Sequence, residues 1–416
     1  MKHITRIQAE RRFVLLTAVR WLPVGITFGM TVLLPLERGL SLAEIGVLLS
    51  IQGFVVLGLE LPTGGLADAI GRRPLLLAAS ALAVASTSVF LLAESFAVFA
   101  LALALQGVFR ALDSGPLEAW FVDVALADDP DAPLDVPLGR GAAALGIAIA
   151  AGAAAGGGLV AWHPIAGASA LVLPFIVAAA LYAVSGVLVA VLVREPARAR
   201  VTVAFAVRET PRAMRGGLRL LRRSGVLRAL VMVEVFWSMA MIAFESLTPV
   251  RLAEQLGTES ASAAVFGPAS AVAWGLFAIG SSSVSLLRRR LGIAGAAIAM
   301  RVVNGAFVVL MGLAAGPVGL LIGYGLAYLT HGAAGPVHNA LLHRQSGSET
   351  RAMVLSMNSM IAGGAYSLGL LVLMPLAQVT SPAVAMVAAG AFSIIGALGY
   401  LPALKRERGG EALATA

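Results

Sequence analysis

Cysteine is absent from this 416-residue chain. That excludes disulfides, thiolate metal sites and a cysteine nucleophile. Lysine occurs only at Lys2 and Lys405, and no Gly-x-x-x-x-Gly-Lys-Ser/Thr segment exists, so the chain has no phosphate-cradling loop for ATP. Charged residues make up only 12% of the chain, where a soluble globular protein carries about 25%. The period-two alternation of a membrane barrel strand is missing as well. A soluble enzyme, an ATP-driven pump and a barrel are excluded on these grounds. No cofactor motif and no metal-ligand cluster is legible, so neither is expected, and no catalytic residue is expected either.

What is present is apolar. Hydrophobic residues make up 59% of the chain. They come in runs of about 20 residues, the length a helix needs to cross roughly 30 Å of hydrocarbon. The chain reads as an all-α integral membrane protein with twelve transmembrane helices. The spans are expected at 13–36, 42–62, 74–94, 97–120, 138–161, 170–193, 227–250, 262–286, 292–313, 317–340, 351–376 and 382–403. The first run follows Arg11-Arg12 and lacks a small-residue cleavage site, so it reads as a retained span.

The formal net charge of +8 would point to nucleic acid in a soluble protein. Here the basic residues lie between spans, so topology and lipid phosphate explain them, and no nucleic-acid partner is expected. Lys2, Arg6, Arg11 and Arg12 precede span 1, Arg72-Arg73 follow span 2, Arg288 to Arg290 follow span 8, and Lys405, Arg406 and Arg408 follow span 12. Basic excess marks the cytoplasmic side. Both termini are therefore expected there, in the inner (plasma) membrane. The long basic loop 194–226 places Met214, Leu218 and Leu221 at helical spacing among arginines, the pattern of a helix lying on the membrane surface. Expected domains are 1–193, a linker 194–226, and 227–416. The halves echo one another: Ser114-Gly115-Pro116-Leu117 matches Ala334-Gly335-Pro336-Val337, and Arg140 opens span 5 as Arg351 opens span 11. Two pseudo-symmetric six-helix bundles follow from such a duplication, the plan of secondary transporters.

Ionisable residues within spans are costly and usually face a cavity or a partner. Span 1 holds Arg20; span 4 holds Gln106, Arg110 and Asp113; span 7 holds Glu234, Ser238, Met241 and Glu245; span 10 holds Tyr324, Tyr328, His331 and His338. Within spans 4 and 7 these residues recur three or four positions apart, and in span 10 at four, three and seven, hence on one face. Arg110 and Asp113, one turn apart, read as an intramembrane ion pair. Glu234 and Glu245 lack any nearby basic residue in their own span. Burial disfavours the charged form of a carboxylate, so both are candidates for carrying a proton, and His331 is a candidate too. Tyr324, Tyr328, Trp237 and Phe28 can form an aromatic wall, for a ligand or for helix packing alone. Arg301, Asn304 and Glu60 are polar residues outside the four stripes.

The segment Gly64-Gly65-Leu66-Ala67-Asp68-Ala69-Ile70-Gly71-Arg72-Arg73 resembles the signature loop of the major facilitator superfamily. Only Ala69 departs, standing where a basic residue is usual. The resemblance implies a two-bundle fold and alternating access, with spans 1, 4, 7 and 10 lining the cavity. It implies a conformational latch built from Gly64, Asp68, Gly71, Arg72, Arg73, Glu118 and Asp123, with Asp123 pairing Arg72. Arg110 is similar to the mid-span arginine of proton-driven exporters. Span 5 partly matches the antiporter motif at Gly152, Gly156 and Gly157, though small residues there also serve close packing. The expected function is proton-coupled export of hydrophobic or amphipathic small molecules, akin to drug/proton antiporters, by a monomer in the lipid bilayer. The alternative is proton symport that imports a small polar or anionic metabolite, held by Arg20 and Arg110.

Overall fold

The computed structural model describes residues 4–195, 218–346 and 350–409, apart from the side chains at 61, 62, 64, 65, 67, 68 and 352. Most of the expected surface helix in 194–226 lies outside the described residues; of it, 218–223 is helical.

The helices are α1 (Arg6–Glu37), α2 (Leu42–Ile70), α3 (Arg72–Leu92), α4 (Phe96–Asp128), α5 (Asp135–Trp162), α6 (Val172–Leu192) and α7 (Gly225–Leu256). Then come α8 (259–291), α9 (293–313), α10 (Pro317–Arg344), α11 (Arg351–Val379) and α12 (Pro382–Arg408). Among the described residues, ten helices are long and apolar enough to cross a membrane. Two facts bring this to the expected twelve. The stretch Glu259–Leu313 is 55 residues, roughly 80 Å of helix, and it breaks at Gly292 (φ 72°, ψ 179°) into α8 and α9. The 28 residues of α10 are long enough, but its tyrosines and histidines dilute its apolarity. Starts are set by side-chain caps: Thr5, Ser224, Thr258 and Ser381 each accept a main-chain N–H of the first turn.

The described chain forms two compact units. One comprises Met1–Thr31, Phe54–Thr210 and Ala263–Ala271; the other comprises Val32–Gly53, Pro211–Ser262 and Val272–Ala416. The division expected at 194–226 is thus refined, since part of α2 packs with the second unit and a stretch of α8 with the first. Glycine explains both exceptions. At Gly46 a β-carbon would press on Met374 and Leu370, and at Gly53 on Ser367. Ser50 Oγ donates to Ser367 O at 2.7 Å. At Gly157 a β-carbon would strike Pro268, and at Gly267 it would strike Ala153 O.

In the first unit α1 packs along α5 and α6, and α3 along α4 and α6; in the second, α7 packs along α11 and α12. Hydrocarbon gives little hydrophobic drive for such contacts, so close approach and dispersion decide them. A core around Phe13, Leu16, Leu76, Trp120, Phe121 and Val189 fills the first unit, with Phe13 stacked on Phe121 at 4.9 Å. Leu227, Leu230, Val233, Ile293, Leu341 and Tyr400 belong to the second unit's core. Outward faces keep residues such as Leu92 and Val379 exposed, as lipid contact requires.

The glycines of span 5 act in packing. Added β-carbons at Gly152 and Gly156 would collide with the main-chain oxygens of Leu22 and Ile26 on α1. Backbone is the obstacle, so no rotamer change relieves it. Gly156→Val is expected to destabilise the fold by about 1–3 kcal/mol and to lower the thermal midpoint in detergent by several degrees. A midpoint equal to wild type would show that α1 and α5 are not held at this distance.

Candidate functional site

A break in α4 creates the first polar site. Pro116 has no N–H to donate, and Gly115 takes the left-handed conformation (φ 90°, ψ −28°). Helix stops at Asp113 and resumes at Pro116, which strips carbonyls at the end of the first segment of their helical donors. Arg20 on α1 answers that loss. Its Nη2 donates to the main-chain oxygen of Asp113 at 3.1 Å and bridges the Asp113 carboxylate. The two side chains are 11% and 17% exposed. This corrects the expected Arg110–Asp113 pair. Arg110 is exposed and makes no ion pair among the described residues. The reason is geometric: helical side chains lean toward the N-terminus. An arginine one turn before an acid therefore leans away from it.

The second site centres on Glu234 of α7. Its Oε1 lies 3.0 Å from His338 Nε2 on α10 and 3.6 Å from Arg301 Nη2 on α9. The three side chains are 8%, 2% and 3% exposed. Glu234 has no nearby basic residue in its own span; both partners come from other helices, which spacing within one span cannot reveal. Arg301 Nε donates to Tyr400 Oη at 3.2 Å, and Tyr400 Oη is 2.9 Å from His338 Nδ1. Asn358 Oδ1 lies 3.2 Å from His338 Nε2. The network assigns the tautomer: Tyr400 donates to Nδ1, and Nε2–H faces Glu234 and Asn358.

Arg301 also lies over the Trp237 ring, 4.1 Å from its centroid. Trp237 stacks on His331 at 4.6 Å. Around them stand Phe244, Phe277 and Tyr328, each in ring contact with His331, and Tyr324 packs on Tyr328 at 4.9 Å. Phe28 stacks on Phe266 at 5.8 Å. His331 thus sits in an aromatic box, outside the Glu234 network. Four buried polar atoms in this region have no hydrogen-bond partner among the described residues: Arg301 Nη1, Asn304 Oδ1, His331 Nδ1 and Trp274 Nε1. Such atoms are uncommon in native interiors and call for an explanation.

Glu245 occupies a π-helical turn, Ala243–Leu247, a local irregularity frequent at functional sites. Tyr366 Oη donates to its Oε2 at 3.3 Å.

The signature segment forms the third cluster. Arg72 bridges the Asp123 carboxylate and donates to Ala119 O. Arg73 Nη2 donates to Ala190 O at 2.7 Å. Gly71 (φ 102°) turns the chain into α3. Glu118 is exposed. The side chain of Asp68 lies outside the described residues, and Gly64 has none. Glu195 was not foreseen: its two carboxylate oxygens accept the main-chain N–H groups of Arg72 and Arg73 at 2.7 and 3.0 Å. The second unit repeats the device, with Glu407 accepting from Ile293 and Ala294, both at 2.9 Å, beside Gly292. Among the described residues no group of three His, Asp or Glu side chains is placed to hold a metal.

Arg20 and Asp113 form a pair largely out of water, so each single removal leaves a poorly solvated charge. Arg20→Gln and Asp113→Asn are each expected to lower the unfolding midpoint in detergent. The double variant should lose less than the sum, with a coupling of about 1–3 kcal/mol. Additive losses would rule the pair out as a stabilising contact.

No curated protein matches this chain in sequence. Solved structures do match in fold. The nucleoside transporter NupG superposes with a TM-score of 0.75 at 11% identity, covering 95% of this chain and 99% of that one. A bacterial homologue of the human lysosomal transporter Spinster, inward-facing and occupied, gives 0.75 at 14% identity, covering 97% and 98%. The human organic anion transporter MFSD10 gives 0.61 at 18% identity, covering 94% and 99%. At these identities the likeness establishes the fold alone. The family model for the Major Facilitator Superfamily matches residues 13–330. The chain belongs to the Major Facilitator Superfamily, and is a multi-pass membrane transporter and not an enzyme.

Proposed function

We propose that this transporter exports hydrophobic or amphipathic small molecules in exchange for protons, in the manner of drug/proton antiporters. One observation carries the reading. The buried carboxylate of Glu234 shares Arg301 with the face of an aromatic box.

Ionised Glu234 holds Arg301 through Nη2 and accepts from His338. A proton on Glu234 removes the negative charge that fixes Arg301. Arg301 then keeps only Tyr400 and the Trp237 face as its partners. Because Trp237 stacks directly on His331, the charge state of Glu234 reaches the box through Arg301 alone. An apolar ring binds such a box by stacking, and His331 Nδ1 and Trp274 Nε1 offer it one hydrogen bond each. Arg20–Asp113 provides a second protonatable pair, and Glu245 with Tyr366 a third. The importing alternative needs Arg20 for an anion, but Asp113 already occupies it.

The proposal includes alternating access by halves 1–193 and 227–416, with Arg72–Asp123 and its neighbours as the latch. Protons and the small molecule are the exchanged species. The transporter sits as a monomer in the inner (plasma) membrane with both termini cytoplasmic, as the basic loops indicate.

Full-length protein in proteoliposomes, loaded with a pH dye and given ethidium as an amphipathic aromatic probe, tests this. Wild type is expected to move protons in response to ethidium. Glu234→Gln should cut that proton movement at least tenfold while ethidium–ethidium exchange survives, and Asp113→Asn should also reduce coupling. Coupling unaltered in both variants would remove these carboxylates from the mechanism.

A further inference from the structure

The end of the second unit where α8 gives way to α9 carries an unused site. A cleft of about 420 Å³ is lined by Arg288 and Arg289 at the end of α8, Arg344 at the end of α10, and Glu407 of α12. None of the three arginines makes an ion pair among the described residues. The cleft's single carboxylate is already engaged, because both oxygens of Glu407 accept main-chain N–H groups of α9. Three cations from two helices therefore face one opening with no free anion among its lining residues. Beside them Leu286 and Leu291 are 59% and 47% exposed. A cationic rim next to bare leucines on a membrane-length helix matches an amphiphile whose headgroup is anionic and whose tail is apolar.

We propose that this cleft binds a phosphate anion, and that the phosphate is the headgroup of an anionic lipid whose acyl chains lie along Leu286 and Leu291. Arginine suits the task because its planar fork meets two phosphate oxygens at once. Basic pockets among membrane helices are an established way to hold such headgroups. A free phosphate ester would satisfy the arginines but leave the leucines unused.

The test is native mass spectrometry of the full chain in detergent, titrated with phosphatidylglycerol, with phosphatidylcholine of the same acyl chains, and with glycerol 3-phosphate. Phosphatidylglycerol is expected to occupy one site at least tenfold more tightly than phosphatidylcholine. A basic residue near a membrane surface contributes about fivefold to anion attraction. Arg344→Gln should therefore weaken phosphatidylglycerol about fivefold, and R288Q/R289Q/R344Q should bring it down to the phosphatidylcholine level. Glu407→Gln removes the opposing charge and should tighten phosphatidylglycerol, a gain that misfolding cannot mimic. Equal retention of the two lipids, or undiminished phosphatidylglycerol affinity in the triple variant, overturns the site. Arginine-dependent binding of glycerol 3-phosphate without lipid preference upholds the anion site and overturns its lipid source.

Discussion

A charge inside hydrocarbon costs roughly 2.5–3.5 kcal/mol even on the mildest scales, and that penalty organises the interior of this chain. Among the described residues, Arg72, Arg301 and Glu234, the buried charges, each meet an opposite charge from another helix. Arg20 crosses from α1 to Asp113, and Arg301 from α9 to Glu234. The same rule governs the backbone. Where Gly115 and Pro116 interrupt α4, an arginine covers the exposed carbonyl. Where Pro336 interrupts the α10 ladder, Ser281 donates to Gly332 O at 2.9 Å. Irregular backbone at membrane depth persists only where another group satisfies it. The broken helices and the ion pairs are thus one phenomenon.

The two polar sites differ in character. Asp113 is held by a single cation that also serves the helix end, so its charge state and the local backbone are tied together. Glu234 belongs to a closed circuit of four other side chains, in which each hydrogen bond fixes the direction of the next. Chains of this kind polarise one another and are sensitive to loss of any member. Within this circuit Arg301 Nη1 has no hydrogen-bond partner among the described residues.

Much of this was legible in the residues. Apolar runs of membrane length foretold the helices, and the stripe Glu234, Ser238, Glu245 was visible because helical spacing repeats. Arg72 and Asp123 were linked through the resemblance of the signature segment. What escaped was set by packing between helices. Nothing in the order of residues says that Arg301 lies beside Glu234 or that Tyr400 closes the circuit; a lone tyrosine in an apolar span has no period to betray it. Arg110 misled because spacing ranks neighbours along one helix and ignores the lean of side chains. Glu195 follows its helix in an unremarkable turn, so only folded geometry reveals its use.

Glu195 and Glu407 carry a consequence for how the chain is made. Each seals the start of a helix that was synthesised three spans earlier. Until the ribosome delivers that carboxylate, two main-chain amides at the start of α3, and later of α9, stay uncapped beside a left-handed glycine. In each unit the carboxylate that closes such a helix start is therefore made well after the helix it caps.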